Sequence, residues 1–254
     1  MKRSWLGAVV PLMLLVLWEG LWHVPSLRLE SVSRPVEVAR ALWQGIADGT
    51  LLAATRETFE AALLGFAIAS AVGLALGVML GLMPRLERIV GPSVDAMRPV
   101  PSVALIPLAL MLFGFGVKME ASVVAFACLW PVLLVTIAAV RGIEPRLLEV
   151  AHVLEMSTAR RTFAIVLPAA MARIAVGLRL ALAMALVVAV TVEIVLNPRG
   201  LGHGMMSAQQ ALRFDQMYAQ LLWIGAVGWA LSGLTQKLLA HWPGANLSMA
   251  ELRT

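Results

Sequence analysis

The sequence predicts an all-α fold, a polytopic membrane bundle of about six transmembrane helices. The chain has 254 residues, of which 60% are hydrophobic and only 14% are charged, whereas soluble domains carry roughly 25% charged residues. Its long apolar stretches approach the roughly 20 residues that a helix needs to cross a bilayer. No repeat, low-complexity tract or linker divides the chain, so we expect one membrane domain over residues 1–254, with its core over 55–240.

Six spans are expected, and together they account for most of the chain. They cover residues 5–23, 57–82, 99–117, 120–140, 174–196 and 218–240. The first is treated as a retained span, because the residues that follow it offer no small-residue cleavage site. An even number of spans places both termini on one side, and the segments on that side hold more Lys and Arg than the others. The positive-inside rule therefore predicts cytoplasmic termini.

A short surface helix is expected before the second span. The run from Ser33 to Trp43 has a Ser or Arg-Pro start, which suits the beginning of a helix. We expect this helix to rest at the outer interface of the membrane.

The second span carries a stripe of small residues on one side of its helix. The stripe consists of Gly65, Ala69, Gly73, Gly77 and Gly81. Lipid gives no hydrophobic drive for helix association, so small residues that allow close backbone contact are the usual device. The stripe predicts a tight helix crossing, either within the subunit or between two copies.

One carboxylate falls inside an expected span. Glu193 lies toward the outer half of the fifth span, and a charge at the bilayer centre costs roughly 2.5–3.5 kcal/mol on insertion scales. It can line a translocation pathway, or it can be a helix-end acid that reaches water or pairs with Arg199. Pro107 and Pro131 free backbone carbonyls in the third and fourth spans, and the resulting kinks can line a pathway or belong to ordinary packing.

A polar, basic loop over residues 141–173 separates the fourth span from the fifth and predicts two short helices outside the bilayer. Pro145 suits a first helical position, and Ser157 or Thr158 can cap the second helix. The apolar face of the first helix is formed by Leu147, Leu148, Ala151 and Leu154. An amphipathic helix pair at the mouth of a membrane bundle is typical of a docking element.

Several kinds of chemistry are missing from the sequence. It contains no G-x-x-x-x-G-K-[ST] motif, so the chain should not hydrolyse ATP itself. Its four histidines are far apart and form no ligand cluster, and no nucleophile stands in triad spacing. We therefore expect no metal, no cofactor and no enzymatic activity. The net charge of +5 is scattered over loops, as membrane topology requires, so nucleic acid binding is not expected.

The loop resembles the coupling segment of bacterial ATP-binding-cassette (ABC) importer permeases. Glu149-Val-Ala151 and Ile165-Val-Leu-Pro168 hold the places of that family's E-A-A and I-x-L-P motifs. Flanking runs in the same order resemble its nitrate, sulfonate and taurine branch. These runs are Arg98-Pro-Val-Pro101, Pro107-Leu, Phe113-Gly-Phe-Gly116, Pro131 and Arg199-Gly-Leu-Gly202. The likeness covers about residues 55–205 and implies a type I ABC importer permease fold.

The resemblance also implies partners, roles and a cargo. It implies two permease copies in the inner membrane, two ATP-binding cassette ATPase subunits and an extracytoplasmic substrate-binding protein. The residues that it implies for ATPase coupling are Leu147, Glu149, Ala151, Leu154, Glu155, Ser157, Arg160, Leu167 and Pro168. The candidates for the translocation pathway are Arg98, Pro101, Pro107, Pro131 and Glu193. The cargo would be a small solute: nitrate, an alkyl sulfonate or taurine, or a vitamin precursor.

Glu155 departs from the family pattern, which has glycine where the two short helices meet. Glycine adopts a positive φ at no steric cost, and glutamate does not. We therefore expect the turn to be made elsewhere, at Met156-Ser157, or the coupling helix to be reshaped.

A secondary carrier or channel without an ATPase is the alternative function. Inverted repeats, or several buried charges in paired broken helices, would favour it. The sequence shows neither feature.

Overall fold

The computed structural model describes residues 32–240, together with residues 9, 13 and 16–20. The described chain is helical almost throughout, as the sequence predicts. Its helices are α1 (Pro35–Ala47), α2 (Thr50–Leu82), α3 (Pro84–Met97), α4 (Ile106–Phe113), α5 (Val117–Arg141), α6 (Pro145–Val153), α7 (Thr158–Arg161), α8 (Leu167–Val195), α9 (Gly200–Gln210) and α10 (Phe214–Ala240). A 3₁₀ turn (Ser102–Leu105) precedes α4, and a π-helical turn (Thr162–Val166) joins α7 to α8.

Four stretches of residues 32–240 are long and apolar enough to cross a membrane. They are Thr50–Leu82, Val117–Arg141, Thr158–Gln210 and Phe214–Leu238. The expected first span, residues 5–23, lies mostly outside the described residues. The expected third span, residues 99–117, is shorter in the structure: its helical part is Ser102–Phe113, which is bent by 84° against Pro84–Met97.

Helices α2 and α5 cross closely through the small-residue stripe and run parallel. A Cβ atom on Gly65 would lie 2.6 Å from the Cβ of Val124. A Cβ atom on Gly81 would lie 2.8 Å from the Cβ of Val140. Side chains do not pack at such distances, so this contact exists only because glycine stands there. The structure places the crossing within the subunit.

The bent pair α3–α4 returns the chain across the bundle. Because α2 and α5 point the same way, the segment between them has to cross back once. Val94 of α3 packs beside Leu133 of α5, and Ile106 of α4 is buried in the main core between α2, α5 and α8. We therefore count the bent pair as one span, which gives five in residues 32–240, in rough agreement with the expected six.

The bundle has two ends. α8 runs antiparallel to α5: Gly177 packs against Val135, and the thiol of Cys128 lies 3.3 Å from the carbonyl oxygen of Ala181. α10 runs antiparallel to α8. We call the two ends the α6 end, where α2 and α5 finish and α8 begins, and the α9 end, where α2, α5 and α10 begin and α8 finishes.

Helix α1 lies at the α9 end, and its start matches the expected surface helix. Pro35 occupies the first turn, and Val38 and Ala41 are buried against Ala219 of α10. Arg34 donates to a carboxylate oxygen of Glu19 at 2.6 Å, which ties α1 to the described residues of the first apolar stretch.

Candidate functional site

The polar loop at the α6 end forms two helices: α6, which is separate from the spans in sequence, and α7, which continues into a span. α6 begins at Pro145, and Ser157 caps the second helix, its Oγ accepting from the Arg160 backbone N–H at 3.3 Å. The second helix does not stop: it continues through the π-helical turn into α8. Pro168 cannot donate to the carbonyl four residues before it, which accounts for a widened turn directly ahead of it.

Glu155 itself makes the turn between the two helices. It has a φ of 47°, in the left-handed region, and the Met156 N–H donates back to the Ala151 carbonyl at 3.1 Å. This is the hydrogen bond with which helices commonly close when glycine follows them. The expectation that the turn moves to Met156-Ser157 is therefore wrong. The glutamate adopts the left-handed conformation that glycine would adopt, at a steric cost that glycine does not have.

Two faces of α6 have different surroundings. Ala151 is only 1% exposed, and Leu148 packs on the core that Ile143 and Val166 help to form, so this face holds α6 against its own bundle. On the other face Leu147 is 41% exposed, Val150 52% and Leu154 65%. Ala151 therefore cannot belong to an open docking face.

The outward face of α6 was only partly found from the sequence. Val150 was missed, although Leu147, Val150 and Leu154 stand at helical spacing i, i+3, i+7 and so share one side. Among the other loop candidates, Leu167 is half-buried. The exposed ones are Glu149, Glu155, Ser157, Arg160 and Pro168.

Side chains from two other helices cap the N-terminus of α9. The Gly200 N–H donates to a carboxylate oxygen of Glu57 at 3.1 Å, and the Leu201 N–H donates to the hydroxyl of Thr58 at 3.0 Å. The Gly202 N–H donates to Oε2 of Glu193 at 2.8 Å. A helix leaves its first N–H groups without partners of its own, so α2 and α8 supply them here.

Gly200 is required by this arrangement. Its φ is 87°, which favours glycine, and a Cβ atom on it would collide with the carboxylate of Glu193. The Arg199-Gly-Leu-Gly202 run therefore has a structural reason: it brings the backbone of α9 directly onto a buried carboxylate.

Glu193 is part of a buried polar cluster, and it neither reaches water nor pairs with Arg199. It is 2% exposed, and no ion pair joins it to Arg199 among the described residues. Glu120 at the start of α5 is equally buried, and its Oε2 accepts from the Asn197 side-chain amide at 2.6 Å. The sequence did not single out Glu120 or Asn197. The sequence signal that they share is their position: each is a polar residue at the end of an expected span, and the two span ends lie on the same side of the bundle.

A cavity of about 280 Å³ adjoins this cluster at the α9 end. Glu120 and Asn197 line it on the buried side, and Arg56, Glu60 and Arg199 line it toward the surface. No group of His, Cys, Asp or Glu in the described residues could hold a metal ion.

The five pathway candidates do not come together in one place. Arg98 ends α3, Pro101 precedes the 3₁₀ turn and Pro107 stands in the first turn of α4. Pro131 lies inside α5, and Glu193 is at the α9 end. Their role in a pathway stays a prediction.

The fold and its two ends define a class of protein: an integral membrane transport component. Residues 57–241 match the family described as "Binding-protein-dependent transport system inner membrane component", and the chain belongs to this family. It is a multi-pass inner-membrane permease subunit of an ATP-driven ABC importer of small solutes. A carrier or channel without an ATPase is not favoured.

Named relatives cover most of the chain. It is 28% identical over 228 residues to a putative aliphatic sulfonates transport permease protein of Bacillus subtilis, covering 89% of this chain and 83% of that protein. It is 29% identical over 242 residues to the taurine transport system permease protein of Escherichia coli, covering 91% and 87%. It is 24% identical over 224 residues to a nitrate import permease protein of Leptolyngbya laminosa, covering 85% and 80%.

Solved structures share the fold. A chain of an amino acid ABC transporter superposes with a TM-score of 0.62 at 18% identity, covering 78% of this chain and 95% of that one. A chain of the MetNI methionine ABC transporter, in an inward-facing conformation, also gives 0.62 at 17% identity, covering 82% and 98%. At these identities the likeness speaks for the fold alone, and it agrees with the expected type I importer permease.

Proposed function

We propose that this permease subunit imports a small oxyanion and receives mechanical work from a separate ATPase that docks on α6. One observation carries the docking proposal: Leu147, Val150 and Leu154 expose a continuous apolar stripe beyond the end of the bundle. The stripe lies outside the spans, where lipid does not cover it. An exposed apolar patch of this kind marks a protein contact.

α6 is held firmly enough by its own subunit to act as a lever. Its inner face is packed through Leu148 and Ala151, and its C-terminal end is fixed by the Glu155 turn and the Ser157 cap. A rigid helix transmits a displacement of its partner to the spans behind it. Coupling requires contacts that differ between two states, and we assign the polar ones to Glu149 and Arg160.

The assembly that we propose follows from the family and the charge distribution. The α6 end and both termini lie in the cytoplasm, which agrees with the excess of Lys and Arg on that side. Two copies of the chain, each a single membrane domain over 1–254, pair with two ATPase subunits. A substrate-binding protein approaches the α9 end from outside, as the family description of binding-protein-dependent transport suggests.

The cargo class rests on the relatives. Their names state aliphatic sulfonates, taurine and nitrate, and all three carry a compact oxyanion group. We infer a solute of this chemistry for the present chain.

The docking proposal is tested by Leu154→Arg, which places a charge in the middle of the apolar stripe. We expect the ATPase to be lost from the purified complex and uptake to be abolished, while the chain remains in the membrane. The matched control is Leu212→Arg: Leu212 is 74% exposed, against 65% for Leu154, and lies at the opposite end. The control should retain the ATPase. Full retention of a coupled ATPase by Leu154→Arg would show that α6 is not the contact.

A further inference from the structure

Two buried carboxyl groups from different helices meet at the α9 end. Glu120 of α5 and Glu193 of α8 are each 2% exposed, and their side chains are within hydrogen-bonding reach of one another. Within residues 32–240 and the few described positions before them, the Oε1 atom of each is buried and has no other hydrogen-bond partner. Two carboxylates in contact in a water-poor site cannot both be ionised. The pair is electrically acceptable only if a positive charge lies between its members.

The surrounding hydrogen bonds indicate which member carries the negative charge. Glu193 accepts from the Gly202 N–H in the first turn of α9, where the helix dipole stabilises an anion. Glu120 has only the neutral amide of Asn197 on its other oxygen. A proton on Oε1 of Glu120 can be donated to Oε1 of Glu193, and this one hydrogen bond satisfies both orphan oxygens.

The charged groups around the pair favour this state. From α2, Glu57 adds a third carboxylate nearby, held by the Gly200 N–H. The arginines of the adjoining cavity, Arg56 and Arg199, are exposed at its outer side, with Glu60 beside them. No Lys, Arg or His forms an ion pair with Glu120 or Glu193 in the described part of the chain.

We propose that Glu120 and Glu193 form a binding site for a single proton, and that this proton clamps α5 to α8 and α9 at the α9 end. When the proton leaves, two adjacent buried carboxylates repel each other and the clamp opens. Raising the pH until this proton is lost therefore loosens the α9 end. The proposal does not depend on where the ATPase docks.

The proton is tested directly by infrared difference spectroscopy between pH values on the purified, assembled transporter in lipid nanodiscs, because the constant ester carbonyl band of the lipids cancels in the difference. A protonated carboxyl group has a carbonyl stretch that carboxylates lack and that shifts in D₂O. We expect this band in the unmodified protein, its loss as the pH is raised, and its absence in Glu120→Gln, in which Glu193 keeps its backbone N–H donor and stays ionised. Glu60→Gln, on the rim of the cavity, should keep it. A band that survives Glu120→Gln, or no band in the unmodified protein at neutral pH, would overturn the proposal.

A second measurement tests whether the proton stabilises the contact of α5 with α8 and α9. The folded state holds a proton that an exposed carboxyl group of the unfolded chain loses above a pH of about 4.3. The melting temperature of the unmodified complex should therefore fall as the pH rises above that value and level off once the pair is fully ionised. Glu120→Gln should remove this dependence, because its amide donates to Glu193 without titrating. Glu120→Ala should melt lower than the unmodified complex at neutral pH. If the melting temperature instead follows the sodium concentration at constant pH, a metal cation occupies the site and the proton proposal is wrong.

Discussion

The two ends of the bundle satisfy their backbones and side chains in opposite ways. At the α9 end, buried polar groups from α2, α5 and α8 contact one another, and those from α2 and α8 accept hydrogen bonds from backbone N–H groups in the first turn of α9. At the α6 end, the helix beyond the spans keeps its apolar side chains exposed and packs only one face on the bundle. The difference fits the roles proposed for the two ends: buried polar groups of this chain stabilise the α9 end, whereas the exposed apolar stripe of α6 is the proposed contact with another protein.

Disrupting the close packing of α2 against α5, the helices that join the two ends, should have the largest effect on the stability of the subunit. A Cβ atom on Gly77 of α2 would lie 2.5 Å from the Cβ of Thr136, with the Leu133 carbonyl 3.0 Å away. Because neither neighbour can withdraw easily, Gly77→Leu should destabilise the subunit by roughly 3 kcal/mol or more. We expect little or no folded chain in the membrane fraction.

The control for this scaffold variant is Gly91→Leu on α3, where a Cβ atom meets nothing within 4 Å. It should accumulate to nearly the normal level. Equal accumulation of both variants would mean that the close crossing of α2 and α5 does not hold the bundle together.

Removing the Thr58 hydroxyl should destabilise the α9 end, by a smaller amount than Gly77→Leu destabilises the whole subunit. Thr58 is fully buried, and Thr58→Val leaves the Leu201 N–H without an acceptor. An unsatisfied buried donor costs about 1–3 kcal/mol. Faster hydrogen exchange at the start of α9, with a lower melting temperature, is the expected result.

Thr235→Val is the comparison variant near the α6 end. The Thr235 hydroxyl donates to the Ser232 carbonyl of its own helix at 3.0 Å, so its loss leaves no backbone N–H without a partner. We expect little change in melting temperature. An equal loss from the two substitutions would contradict the claim that only the α9 end depends on buried polar partners.

The sequence predicted the helices and their close contacts because these depend on local pattern. The small-residue stripe, Pro145 at the start of α6 and Ser157 as a cap could all be found, since each requires only residues a few positions apart. The sequence analysis placed a span over residues 99–117 and so missed the bend at residues 98–101, although Pro99 and Pro101 interrupt a helix there. What the local pattern could not show is that α2 and α5 run parallel, because that is a long-range property.

The buried polar cluster was only partly predictable for the same reason. Glu193 was visible as a charge inside a span. Glu120 stands 73 positions earlier, at a span end where a carboxylate normally reaches water, and only the fold brings it to Glu193. Ala151 shows the converse case: it shares a sequence motif with the exposed Glu149, yet the helix turns its side chain inward.

The smallest predicted effect concerns the turn at the α6 end. Glu155 has a φ of 47°, and a residue with a Cβ atom in this conformation is strained by roughly 1 kcal/mol relative to glycine. Glu155→Gly should therefore stabilise the end of α6 by about 1 kcal/mol, seen as slower hydrogen exchange over residues 150–157. The matched control is Glu149→Gly, the same chemical change inside α6, which should cost about 1 kcal/mol. If both substitutions accelerate exchange, the Glu155 side chain contributes more through its contacts than the backbone loses by strain.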